Sequence, residues 1–243
     1  MSQLWTVILA SLLVTSACGT HRTAPGQPAA NSEPIAPTKI LDFALLYGRN
    51  CAGCHGENGS GGAAIGMADP VYLAIADDAA ITRVTADGVP GTAMPAFAQR
   101  SGGMLTDHQI SAIVRGIRSW AKPDALRGAQ PPPYAASPTG DAQRGAGVYG
   151  TFCSSCHGPG GTGTARASSI VDSAYLQLVS DQGLRTIVIA GRPGLGAPDW
   201  RGNLPDRPMS PRDVSDVVAW LAAQRPALPG QTYLSAGIRG GVR

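Results

Sequence analysis

The chain has 243 residues, 43% hydrophobic, 14% charged and 5% aromatic, with a formal net charge of +3. That length allows one or two domains, and so small a net charge with ordinary apolar content excludes a wholly disordered chain. No apolar run of the roughly 20 residues that a spanning helix needs follows the first twenty positions, which excludes a multi-spanning membrane protein. Glycine contributes 32 residues and proline 20, about a fifth of the chain where ordinary domains carry nearer an eighth, so loops are abundant. Basic charge is 17 Arg and 2 Lys against 14 Asp and 2 Glu with no run of one sign, and nucleic-acid binding is excluded.

Residues 1–17 read as a signal peptide: an apolar core from Leu4 to Val14, then Thr15, Ser16 and Ala17 before Cys18. Small residues directly before a cysteine resemble the lipobox of bacterial lipoproteins, so Cys18 is expected to carry lipid and become the first residue. No Lys or Arg precedes Cys18, and the positive charge ahead of the apolar core reduces to the terminal amine. An ordinary cleaved signal and an uncleaved anchor are the other readings; all three put the mature protein outside the cytoplasm. Residues 18–38, rich in Pro and Ala without apolar periodicity, read as a tether reaching about 25 Å.

Beyond the tether the chain repeats itself at an offset of about 102 residues. Tyr47 and Cys51-Ala-Gly-Cys54-His55-Gly56 return as Tyr149 and Cys153-Ser-Ser-Cys156-His157-Gly158; Tyr72, Ile81 and Gly88 return as Tyr175, Leu184 and Gly191. Each copy closes on an amphipathic helix. Thr106 caps the first, with Ile110, Ile113, Val114, Ile117 and Trp120 at 3–4 residue spacing; Ser210 and Pro211 open the second, with Val214, Val217, Val218 and Leu221 on one face. The boundaries predicted are 39–122 for the first domain, 123–140 for a Pro-rich linker, 141–225 for the second domain and 226–243 for a tail.

A Cys-x-x-Cys pair followed at once by histidine is the pattern of covalent haem attachment: two thiols for the two porphyrin vinyls and an imidazole for the iron. A zinc ribbon would place its two pairs about 15–20 residues apart, far closer than Cys54 and Cys153. A thioredoxin-type redox pair needs no histidine there. Each copy therefore resembles a class I cytochrome c domain, and the tandem resembles dihaem cytochromes such as the cytochrome c4-like carriers. The resemblance covers most of residues 40–225 and rests on CxxCH, a Met-Pro loop and the closing helix. It implies an all-α fold of two tandem class I domains, each wrapped around one covalent haem c. It also implies electron transfer, with Cys51, Cys54, His55, Cys153, Cys156 and His157 holding the two haems. Small modules with so few aromatics gain a core element from a bound porphyrin.

The sixth iron ligand expected in the first copy is Met94, whose Pro95 biases it towards extended backbone. The second copy departs from the pattern. Aligned with three extra residues in its loop, or simply counted, Ala197 falls forty residues past His157, where methionine is expected. Met209 is the later methionine and is assigned as the ligand; it also lies opposite Leu105, where it reads as a hydrophobic staple beside Ser210. A vacant or water-bound iron and another donor are the remaining readings, and His108 and His21 are poor candidates for that donor. Arg49, Arg83, Arg185 and Arg192 read either as partners of haem propionates or as solvated charges. The stretches Gly59-Ser-Gly-Gly and Gly160-Gly-Thr-Gly read as loops that pass close to porphyrin, because no phosphate-loop lysine accompanies them.

The function expected is single-electron transfer between respiratory or photosynthetic redox proteins, on the periplasmic side of a bacterial membrane, with no catalytic residues of its own. Residues 38–122 carry seven basic and seven acidic side chains and 141–226 carry eight and seven, so long-range steering of a soluble partner is weak. Attachment to a membrane complex is favoured. The competing readings are a dihaem oxidoreductase with an open second iron and a purely structural subunit.

Overall fold

The computed structural model describes residues 34–135 and 139–226; the signal segment, Cys18, His21 and nearly all of the C-terminal tail lie outside the described residues. The chain divides into two compact units, 1–39 and 40–243. The described part of the first holds one short helical turn, Pro37–Lys39. The second unit holds both copies of the repeat, and among its described residues every regular element is helical.

The first copy comprises α1 (Phe43–Asn50), α2 (Ala52–His55), α3 (Pro70–Ile75), α4 (Asp78–Asp87) and α5 (Asp107–Arg118). The second repeats the order with α6 (Ala142–Phe152), α7 (Ser154–His157), α8 (Ser173–Leu178), α9 (Asp181–Ala190) and α10 (Pro211–Ala223). Short polar side chains start all the longer helices by accepting orphan backbone N–H groups: Asp42, Asp69, Asp77 and Thr106, then Asp141, Asp172, Ser180 and Ser210. Thr106 with Gln109 and Ser210 with Asp213 complete reciprocal capping boxes. The closing helices bury the expected stripe: Ile110, Ile113, Val114 and Ile117 on α5, Val214, Val217, Val218 and Leu221 on α10. Each such side chain is worth about 1.5–3 kcal/mol when fully buried.

In each copy the first helix crosses the closing helix through one large and one small residue, but the two copies assign them oppositely. In the first, Gly116 on α5 receives the Phe43 ring of α1, and a Cβ on Gly116 would lie 2.0 Å from that ring. In the second, the residue matching Phe43 is Gly145 and the one matching Gly116 is Trp220. A Cβ on Gly145 would lie 2.1 Å from the Asp216 carbonyl oxygen and 2.7 Å from Trp220 Cβ.

Two further devices recur from unmatched positions. Arg118 grips the carbonyls of Leu73 and Ala76 and the Asp78 carboxylate; Arg225 grips those of Leu176 and Val179 and Asp181. The acceptors correspond between copies, yet the second arginine comes about one turn later along its closing segment. Trp120 packs edge-on against Tyr47 with ring centroids 5.0 Å apart, and Trp220 stacks on Tyr149 at 4.4 Å. The second tryptophan comes one turn earlier.

The connecting stretch is strapped to the second copy. Pro132 is fully buried, and Arg185 of α9, 1% exposed, donates to the carbonyls of Pro133 (2.8 and 3.0 Å) and Tyr134 (3.1 Å) and to Ser215 Oγ (3.1 Å). Arg192, beyond α9, donates to the carbonyls of Gly62 (2.6 Å) and Ala63 (2.9 Å) in the first copy. Arg185 is therefore no solvated charge, and Arg192 directs two of its donors to backbone carbonyls.

Candidate functional site

Cys51 sits at the junction where α1 ends and the single turn α2 begins; Cys54 and His55 follow on that turn. The turn is held by His55 N–H to Cys51 O (3.0 Å) and Gly56 N–H to Ala52 O (2.8 Å). Gly56 leaves it at φ 85°, and Tyr47 Oη donates to the Gly56 carbonyl at 3.0 Å. A side chain at Gly56 would strike the Ser60 carbonyl, its Cβ only 1.8 Å away, so only glycine lets the chain double back here.

The imidazole of His55 is buried, with Nδ1 2.8 Å from the Ile65 carbonyl oxygen. A carbonyl only accepts, so Nδ1 carries the proton and Nε2 keeps its lone pair for a metal. Burial lowers the His55 pKa, outweighing the Ile65 carbonyl, and so favours the neutral ring. Burial, with the neighbouring Cys54, pushes the Cys51 thiol up to about 11.

The second site repeats this construction. Cys153 ends α6, Cys156 and His157 lie on α7, and His157 Nδ1 is 2.9 Å from the Ser168 carbonyl oxygen. His157 is more open to solvent than His55. Burial and Cys156 push the Cys153 thiol up to about 11. Tyr149 Oη donates to the Gly158 carbonyl as Tyr47 does to Gly56. Among the described residues no three His, Cys, Asp or Glu side chains converge as a metal cluster, so the two Cys pairs do not assemble the zinc ribbon weighed above. Two thiols on one helical turn beside an imidazole whose Nδ1 is held by a backbone carbonyl fit covalent haem, once in each copy.

Met94 lies half-buried on the loop after α4, its amide donating to Thr92 Oγ1 at 3.1 Å and its carbonyl accepting from Val89 N–H at 3.0 Å. In the second copy the same bond runs from Arg192 N–H to Ala197 O at 2.9 Å. Residues 88–97 thus match 191–200 one for one, without the three-residue expansion considered above, and Ala197 holds the place of Met94. Met209 is 2% exposed and packed in the core. Its amide donates to Trp200 O (2.9 Å), as Leu105 N–H does to Phe97 O (2.8 Å). His108 is exposed on α5. What periodicity and motif reading missed were the roles of Arg185 and Arg192, whose backbone acceptors leave no side-chain signature.

The model of the family described as cytochrome C oxidase, cbb3-type, subunit III, matches residues 38–115 and 140–221, one segment per copy. The chain belongs to that family. This cbb3-type membership implies covalently bound haem c, and the fold is that of tandem class I cytochrome c domains. Among curated relatives, the cbb3-type cytochrome c oxidase subunit FixP of Bradyrhizobium diazoefficiens is 28% identical over 176 residues, 65% of this chain and 53% of that protein. The subunit FixPc of Rhizobium leguminosarum bv. viciae is 28% identical over 183 residues, 69% and 58%. The chain thus spans somewhat over half the length of these relatives. Among solved structures, a chain of the Kuenenia stuttgartiensis reducing HAO-like protein complex is similar with TM-score 0.45 and 17% identity, over 79% of this chain and all of that one. Thiosulfate dehydrogenase (TsdBA) from Marichromatium purpuratum follows with TM-score 0.33 and 18% identity, over 84% and 50%.

Proposed function

We propose that this chain is a dihaem cytochrome c that passes single electrons between redox partner proteins as a subunit of a respiratory or photosynthetic membrane complex. The observation that carries the reading is the duplicated turn, in which a carbonyl holds Nδ1–H of His55 and of His157 and leaves each Nε2 free. Cys51 and Cys54 would bond one haem and Cys153 and Cys156 another, each thiol adding its sulfur and hydrogen across one porphyrin vinyl. His55 and His157 would each supply a ring nitrogen to an iron, and Met94 a thioether to the first. When bound, each haem supplies an iron that takes up and gives back one electron, and ligation by both His55 and Met94 would raise the potential of the first.

The polypeptide holds each imidazole in one tautomer, buries the first and fixes its angle through the loop carrying Ile65. The names of the FixP relatives support membership of an oxidase-type complex. The nearly balanced surface charge supports partner choice by attachment over long-range steering. Lipid on Cys18 would hold the protein to the periplasmic side of the membrane through the 18–38 tether; among the described residues no helix is long and apolar enough to cross a bilayer.

The test is the pyridine haemochrome assay on full-length protein from a host able to mature c-type cytochromes, with a redox titration of the same sample. Two haems per chain and reversible one-electron steps are expected; fewer than two haems overturns the reading. Cys18→Ser should move the protein from the membrane to the soluble fraction, and unchanged membrane retention would remove the lipid anchor.

A further inference from the structure

Resting on the dihaem reading, we propose that the second haem has no protein ligand opposite His157 and that this face takes a small diatomic ligand, carbon monoxide on ferrous iron or cyanide on ferric. The first copy shows where the sixth ligand comes from, and the second copy keeps that loop while losing the donor. Val89 N–H to Met94 O and Arg192 N–H to Ala197 O close the same turn at 3.0 and 2.9 Å. It is entered through glycines at φ 67° and 70°, whose missing Cβ atoms leave room for Pro95 and Pro198 (carbonyl carbons at 2.6 and 2.5 Å). The residue presented is methionine in one copy and alanine in the other. A methyl group has no lone pair for iron, and it frees the room of a thioether's three outer heavy atoms, enough for a two-atom ligand.

Met209 is placed to do something else. It holds the structural position of Leu105, directly before the capping residue, with its amide bonded to Trp200 O as Leu105 is to Phe97 O. Its side chain is buried in the core, as that of Leu105 is (2% and 7% exposed), and Asn203 Nδ2 lies 3.8 Å from its sulfur. Leucine fills this place in the first copy without any sulfur, so packing accounts for the residue. Residues 141–226 contain no lysine, no histidine beyond His157 and no methionine beyond Met209. Arg192 ties the Ala197 loop to the carbonyls of Gly62 and Ala63 and restrains it from swinging.

The experiment uses the full-length haem-loaded chain: carbon monoxide titration of the reduced form, and near-infrared absorption of the oxidised form, which reports methionine–iron bonds. One carbon monoxide per chain and a single methionine band are expected. Met209→Leu should leave both unchanged. Ala197→Met should abolish carbon monoxide binding, add a second methionine band and raise the second potential. Two haems with no carbon monoxide uptake, or loss of a methionine band in Met209→Leu, overturns the proposal. A haemochrome count below two would instead overturn the dihaem reading on which it rests.

Discussion

Helix α6 contains three glycines, and the structure assigns opposite signs to replacing them. Gly147 and Gly150 have open space where a Cβ would go, with no atom within 4 Å. Alanine there should stabilise by about 0.5–1 kcal/mol each, through the smaller backbone entropy lost on folding. At Gly145 the same methyl meets the α10 backbone at 2.1 Å, more than an ångström inside the 3.4 Å at which ordinary contact begins. The obstacle is a carbonyl in mid-helix, which cannot rotate aside, so α10 must retreat from α6. Overpacking of this kind costs about 1–3 kcal/mol, and the propensity gain offsets only part of it. Gly145→Ala should therefore lose about 1–2 kcal/mol net, where its two helix neighbours gain. At about 2–4 °C per kcal/mol for a body of this size, thermal melts of the haem-loaded chain followed by far-ultraviolet circular dichroism resolve the difference. If Gly145→Ala raises the melting temperature as Gly147→Ala does, the account of the crossing fails.

Arg185→Met removes the donors to the Pro133 carbonyl and to Ser215 Oγ, whereas Tyr134 O keeps Gln182 Nε2 at 2.9 Å. A loss of about 1.5–3 kcal/mol is expected from the charged hydrogen bonds, measured by urea denaturation, together with faster proteolysis between residues 122 and 140. Arg192→Ala should cost no more than about 1 kcal/mol, being partly exposed, yet speed amide exchange in residues 62–65 and 192–197. Asp216, 3% exposed, accepts from Asp141 N–H at 2.8 Å and from Arg144. Burial pushes its carboxyl up, but those donors outweigh it and hold the pKa below the usual carboxylate range. Its contribution is then complete above about pH 4 and lost as pH falls through the native value. Asp216→Asn should destabilise by about 1–3 kcal/mol at neutral pH and flatten the acid limb of the stability curve.

The two CxxCH turns, the helix starts and the buried stripes were legible in the sequence because each is written within a few residues: a pentapeptide, a capping box, a 3–4 residue period. The place of Ala197 was legible by counting, whereas Met209 stood between two roles in the sequence, and only the fold shows that its amide bonds to Trp200 O as that of Leu105 does to Phe97 O. Arg185 and Arg192 were not legible. Their acceptors are carbonyls 51–52 and 129–130 residues away in the chain, and a carbonyl belongs to every residue type. Arg225 and Trp220 escaped alignment for a related reason: each repeats a contact of the first copy from a different turn, so contact is preserved where register is not.

The inverted assignment of bulk at the two helix crossings also bears on how the chain assembles during synthesis. Were α1 to dock on α10, Phe43 would collide with Trp220; were α6 to dock on α5, Gly145 would face Gly116 across a void. Halves of one polypeptide that share a fold ordinarily risk exchanging partners, between themselves or with a neighbouring molecule. Here a mismatched shape penalises both wrong pairings, so the duplication carries its own proofreading.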